Sequence, residues 1–202
     1  MCIRDSNQAI HRLGETKPSA LELVDGSLLQ FVKKHHPEQL RGIVGEPYPE
    51  MVVLCEYDDI SDRTQKRKVK KAKKVLHDLA YEYRITKDEH EKESLWKIRH
   101  STSSVLWQEV NGAKAIPVIE DAIVPVAKRR EFIERTSHML DTLNIDSALW
   151  GQAGDANLKL RPLLDLSKTT DRQMIFKLMD SHYANVVDLG GSTSAFNNDG
   201  RI

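Results

Sequence analysis

An arginine at 99 follows Leu95-Trp96-Lys97-Ile98 on a segment with helical spacing, with no acidic residue three or four positions after it. A guanidinium is the side chain best shaped to hold a carboxylate through two parallel hydrogen bonds. The competing assignment is a surface ion pair with Glu91 or Glu93 through neighbouring turns. Two loops, 151–159 and 190–201, hold the densest small and polar residues, among them Gln152, Asp155, Asn157, Ser192, Ser194, Asn197, Asn198 and Asp199. The small residues at 151, 153, 154 and 156 let a ligand approach the backbone closely, and ordinary turn chemistry accounts for the same composition. Glu120 and Asp121 are adjacent carboxylates in an otherwise apolar stretch. Neighbours on a strand face opposite ways, so they cannot work as one dyad, and a structural pairing or capping role is expected for one of them.

Other chemistries are excluded by type and spacing. The eight histidines include no HxxxH or HExxH pair, the helical arrangement that would hold zinc. His35 and His36 precede Pro37 at a helix end, where positive charge suits the dipole. Cys2 and Cys55 are too few for a disulfide framework, and Cys55, mid-strand among apolar neighbours, reads as a small core residue. Residues 63–74 carry eight Lys or Arg but no aromatic residue to stack on bases, so they read as a solvated helix face, with an anion or partner patch the weaker alternative. Thirty basic against 30 acidic side chains leave no net field to draw nucleic acid. No apolar run nears the length of a membrane span, and no apolar leader opens the chain. The expected location is the cytoplasm, at most peripheral to the inner membrane.

Alternating periodicities supply the elements that must position these residues. Residues 19–24 and 51–57 read as strands, the second buried, and 83–86 as a weak strand. Residues 115–125 read as a strand that Pro117 and Pro125 confine to an edge or to the ends of the pairing. Short strands at 148–150 and 158–160 flank the first glycine loop. Helices are expected after Gly26 as far as Pro37, from Ser61-Asp62 to about Tyr83, from Asp88 to Asn111-Gly112, over 129–143 and over 171–187. About four strands and five helices in alternation imply an α+β, ferredoxin-like antiparallel sheet with helices packed mainly on one face. The GxGxxG fingerprint is absent, so no dinucleotide site of the Rossmann kind is expected. Residues 1–17 have no sustained period and read as an irregular segment before one domain over 18–202. The chain stops in a polar, Gly-rich turn, and a fragment of a longer polypeptide is expected.

Five blocks in order carry a resemblance: Pro18-Ser-Ala-Leu-Glu-Leu-Val-Asp25, Leu95-Trp-Lys-Ile-Arg99, Ala115-Ile-Pro-Val-Ile-Glu-Asp-Ala-Ile-Val-Pro125, Gly151-Gln-Ala-Gly-Asp-Ala-Asn-Leu158, and Gly190-Gly-Ser-Thr-Ser194 with Asp199-Gly-Arg201. Together they resemble the C-terminal half of the FAD-linked oxidases, the group of glycolate oxidase's FAD subunit, D-lactate dehydrogenase and D-2-hydroxyglutarate dehydrogenase. The resemblance implies a substrate domain beside a flavin domain of the same full-length polypeptide, with FAD bound mainly by that other domain. It implies oxidation of a 2-hydroxy acid by hydride transfer to the flavin, with Arg99 on the substrate carboxylate, Asn157 hydrogen-bonding the substrate, and Gln152, Asp155, Lys159 and Asn197 lining the pocket. A catalytically silent relative kept for ligand binding or assembly is the alternative. Family members that use a divalent metal read Gly-His-x-Gly-Asp-Gly-Asn-Leu-His in the first loop and Glu-His-Gly in the second. Here Gln152, Lys159 and Phe196 stand at the ligand positions and Asn197 at the base. No metal is therefore expected, and Lys159 becomes the candidate fixed charge or base in its stead.

Overall fold

The computed structural model describes residues 3–101, 109–110 and 112–194 of the 202-residue chain. They fall into two compact units, one made of residues 1–101 with 152–154 and the other of 102–151 with 155–202.

In the first unit, β1 (Ala20–Asp25) and β2 (Met51–Glu56) pair antiparallel, with Ala20 opposite Glu56 and Asp25 opposite Met51. Leu21, Leu23 and Val24 of β1 are buried, whereas β2 is half-buried throughout, which corrects the expectation of a buried strand. The chain leaves β1 directly into α2 (Gly26–His35). Asp25 caps that helix, its Oδ1 accepting the Leu28 N–H at 2.8 Å. A Cβ at Gly26 would lie 2.6 Å from the Pro49 carbonyl oxygen, so only glycine fits this strand-to-helix corner. The short α3 (Pro37–Leu40) buries Leu40, and α4 (Asp62–Leu79) buries Ala72 and Val75 beneath its basic surface.

The N-terminal segment expected to be irregular is in part a helix, α1 (Ile3–Gly14), which packs on α4 and on both strands. Ala9, Ile10 and Leu13 form its buried face, a two-turn stripe too short to register as a sustained period. No strand forms at 83–86, where Tyr83 and Ile85 are exposed. The helix expected to run from Asp88 to Asn111 is α5 (Glu89–His100), capped by the Asp88 carboxylate on Glu91 N–H. Residues 109–110 are a strand instead, and Val105, Leu106 and Asn111 lie outside the described residues.

The second unit is organised around its longest strand, β7 (Asn157–Leu164). Beside it lie β6 (Ser147–Gln152) and β4 (Ala113–Ala115), with β3 (Glu109–Val110) beyond β4 and β5 (Ala122–Ile123) pairing with the start of β7. The described pairings are antiparallel: Lys114 opposite Leu164, Ala122 opposite Leu158, Ile123 opposite Asn157. The strand expected over 115–125 is broken into β4 and β5, whose pairing stops short of Pro117 and Pro125. Pro117 has no N–H to donate to a ladder, and the Val118 N–H turns back to the Ile116 carbonyl at 3.0 Å.

Helices α6 (Arg129–Leu143) and α7 (Thr169–Asp188) pack against each other and against one face of this sheet. Their Met139, Leu140 and Leu178 join Ile116, Val118, Ile119, Leu160 and Leu164 in one core, each buried side chain of this kind contributing about 1.5–3 kcal/mol. Asn144 ends α6 in the left-handed conformation at φ 52°. The chain is α+β with antiparallel pairing, and has seven α-helices and seven strands among the described residues, more than the five and four expected.

Candidate functional site

Strand periodicity divides β7 cleanly. Leu158, Leu160 and Leu164 are buried, Leu160 and Leu164 in the core with α6 and α7, so Asn157, Lys159 and Arg161 share the opposite face at steps of about 7 Å. Glu120, from the irregular segment between β4 and β5, reaches both cations: Arg161 Nη2 donates to its Oε2 at 2.8 Å, and Lys159 Nζ stands 3.9 Å from its Oε1. The Arg161 guanidinium also stands over the Trp150 ring of β6, 5.9 Å from its centroid. All five side chains are largely removed from solvent. Two buried polar atoms in the group have no hydrogen-bond partner, Arg161 Nε and Asn157 Oδ1. Glu120 thus makes a structural pairing of the kind expected at 120–121. Arg161 was missed by the sequence reading. Its signal was the alternation of polar 157, 159 and 161 with apolar 158, 160 and 164.

The two glycine segments are tied to this strand by backbone. Gly151 has φ +139°, and a Cβ there would meet the Asn157 carbonyl oxygen at 2.6 Å, so only glycine lets β6 pass so near the start of β7. At the other segment, Ser192 and Ile123 exchange N–H···O bonds of 2.8 and 3.0 Å, and Gly191 packs onto Ile123 with no room for a Cβ. Ile123 is in turn opposite Asn157. Ser192 and Asn157 therefore flank β5, about 10 Å apart.

Other sequence candidates are placed as follows. Arg99, on α5, gives its Nε to Glu22 Oε2 of β1 at 2.7 Å, a partner from another element and not the Glu91 or Glu93 considered from sequence. Gln152, at the end of β6, and Asp155, in the turn after it, are exposed. Asn197 and Phe196 lie outside the described residues. Residues 63–74 lie on α4, where Lys68 binds Asp59 and the Lys17 carbonyl. Burial pushes the Cys55 thiol pKa up, which removes nucleophilic thiolate. His182 of α7 is fully buried with neither ring nitrogen bonded, and burial lowers its pKa to about 4. Among the described residues no helix is long and apolar enough to cross a membrane.

The donor chemistry does not fit a divalent metal. Lys159, at one of the ligand positions implied by the resemblance, is an ammonium directed to Glu120, and among the described residues no three His, Cys, Asp or Glu side chains converge on a point. Nor do the closely packed glycines form a phosphate cradle, because Gly26, Gly151 and Gly191 face the chain's own backbone.

The described residues define an α+β domain with a polar face on its longest strand. Residues 3–195 match the family of FAD linked oxidases, C-terminal domain, and the chain belongs to that family, whose cofactor is FAD. It is similar to D-2-hydroxyglutarate dehydrogenase of Haemophilus influenzae, 25% identical over 109 residues that make up 54% of this chain and 11% of that protein. In fold it is similar to 4-ethylphenol oxidase from Gulosibacter chungangensis in its isoeugenol complex, with a TM-score of 0.51 at 12% identity over 95% of this chain and 42% of that one. The chain thus spans well under half of each of these relatives.

Proposed function

We propose that this chain is the substrate domain of a flavin-dependent oxidoreductase that converts a 2-hydroxy acid to the 2-oxo acid. The observation that carries the proposal is the family match over residues 3–195, to which the similarity to a D-2-hydroxyglutarate dehydrogenase adds a substrate class. FAD, held by a flavin domain of the same full-length polypeptide, would accept the hydride from the carbon bearing the hydroxyl. Within the chain, Asn157 is assigned to hydrogen-bond the substrate, and Lys159 supplies positive charge beside the substrate oxygen while the hydroxyl proton passes to solvent water. Gln152, Asp155 and Asn197 are assigned to the pocket wall. Arg99 is assigned to the substrate carboxylate, with Glu22 orienting its guanidinium.

The pairing of Lys159 with Glu120 favours the second reading, a catalytically silent relative, because it gives the ammonium an internal partner. Anaerobic mixing of the flavin-loaded full-length polypeptide with lactate, glycolate and 2-hydroxyglutarate separates the two. Loss of the oxidised flavin's visible absorbance with one of these acids is expected. Unchanged absorbance with all three rejects the enzymatic reading.

A further inference from the structure

We propose that α4 docks the protein on an anionic phospholipid surface, with its outer cations over the headgroups and Ile60 and Tyr81 entering the interface at its two ends. Seven of the eight lysines and arginines on this helix are exposed; the eighth, Lys68, is bound to Asp59 and the Lys17 carbonyl. At 3.6 residues per turn those seven fall within one arc of about 160°, opposite the buried Ala72 and Val75. Among the described residues none of the seven has an ion pair or a hydrogen bond. The only acids on the helix are Asp62 and Asp78, and Asp78 stands 3.7 Å from Arg12 of α1. The zero net charge of the chain therefore conceals a stripe of one sign about 27 Å long.

A helix face that is merely solvated has another pattern. On α6, Arg130 and Arg135 bind Glu134 and Glu131 one turn away, at 2.8 and 2.6 Å. Nothing comparable offsets the α4 arc, and apolar side chains gather at its ends. Of the seven large hydrophobic side chains exposed among the described residues, Ile60 precedes α4, and Tyr81, Tyr83 and Ile85 follow it. Single exposures of this kind are ordinary, whereas four beside one basic helix mark a surface that meets a partner. Two features select lipid over nucleic acid. No aromatic ring lies within the arc to stack on bases. Lysine outnumbers arginine there by five to two, and an ammonium acts as a point charge toward a diffuse anionic surface, where the arginine fork suits bidentate contacts. The apolar ends match the headgroup boundary of a bilayer.

The test is flotation of the full-length polypeptide with vesicles of phosphatidylcholine alone, or of phosphatidylcholine with about 30% phosphatidylglycerol. Binding is expected only to the vesicles with phosphatidylglycerol, and is expected to vanish in about 1 M NaCl, where the Debye length is about 3 Å. Each cation near such a surface adds about fivefold to partition, so Lys70→Gln, Lys71→Gln and Lys74→Gln together should weaken binding about 100-fold with circular dichroism unchanged. Should that variant not fold, Lys66→Gln with Lys73→Gln, on one flank of the arc, serves and should lose about 20-fold. Ile60→Ser should weaken binding about tenfold and leave its salt dependence in place. Equal flotation on both kinds of vesicle, or lysine or Ile60 variants that float like wild type, overturns the proposal. Salt-sensitive binding of the same lysines to single-stranded RNA, without binding to vesicles, overturns it as well.

Discussion

Lowering the pH from 7.5 to 5 should destabilise this protein through one imidazole. His182 is on α7 with its ring 5.9 Å from that of Phe132 and 5.8 Å from that of Tyr183, fully buried, with no partner on either nitrogen. Desolvation moves its pKa from 6.5 to about 4. The unfolded chain binds a proton at 6.5 that the folded chain refuses until about 4, so the native state has its full stability above pH 6.5 and loses it as pH falls toward about 4. The gap amounts to about 3 kcal/mol in full, of which about 2 kcal/mol is gone at pH 5. Against a typical domain stability of about 5–15 kcal/mol that is a large share. Urea unfolding of wild type and His182→Leu at pH 7.5 and 5 isolates it, because the carboxylates common to both proteins titrate alike and cancel in the difference. At pH 7.5 the leucine variant should be at least as stable, since two orphaned ring nitrogens leave the core. On going to pH 5 the wild type should lose about 2 kcal/mol more than the variant. Parallel losses in the two proteins would refute the reasoning.

Gly151→Ala forces a side chain into φ +139° and against the Asn157 carbonyl, and should cost about 2–4 kcal/mol in thermal unfolding; a loss under about 0.5 kcal/mol would show that the β6–β7 corner relaxes freely. Arg99→Met strands the Glu22 carboxylate, a group only 7% exposed, and should cost about 2–3 kcal/mol at pH 7, much of it recovered by adding Glu22→Gln. A double-mutant cycle with strictly additive costs would deny the pair any coupling.

How far the sequence showed the fold depended on length and on solvent. Helices α6 and α7 were legible because fifteen- and twenty-residue segments repeat their apolar side several times. Strand β1 was legible because Leu21, Leu23 and Val24 sit between a proline and a capping aspartate. The stretch 115–125 misled, since its apolar residues are indeed buried, but in the loop that carries Glu120 and not in a continuous ladder. Tyr83 and Ile85 have strand-forming side chains yet belong to no ladder, and local propensity yields to that. At the site, Asn157 and Lys159 were visible within a glycine-rich loop, whereas Arg161 belonged to what looked like structural strand. Its partnership with Glu120 spans 41 positions, and no local pattern encodes a contact at that separation.

The indole of Trp150 gives the β7 cluster a built-in reporter. A guanidinium held over an aromatic ring imposes an electric field on its excited state, so any anion that draws Arg161 aside shifts the emission colour of that tryptophan. Occupancy can then be followed by intrinsic fluorescence in the unlabelled chain.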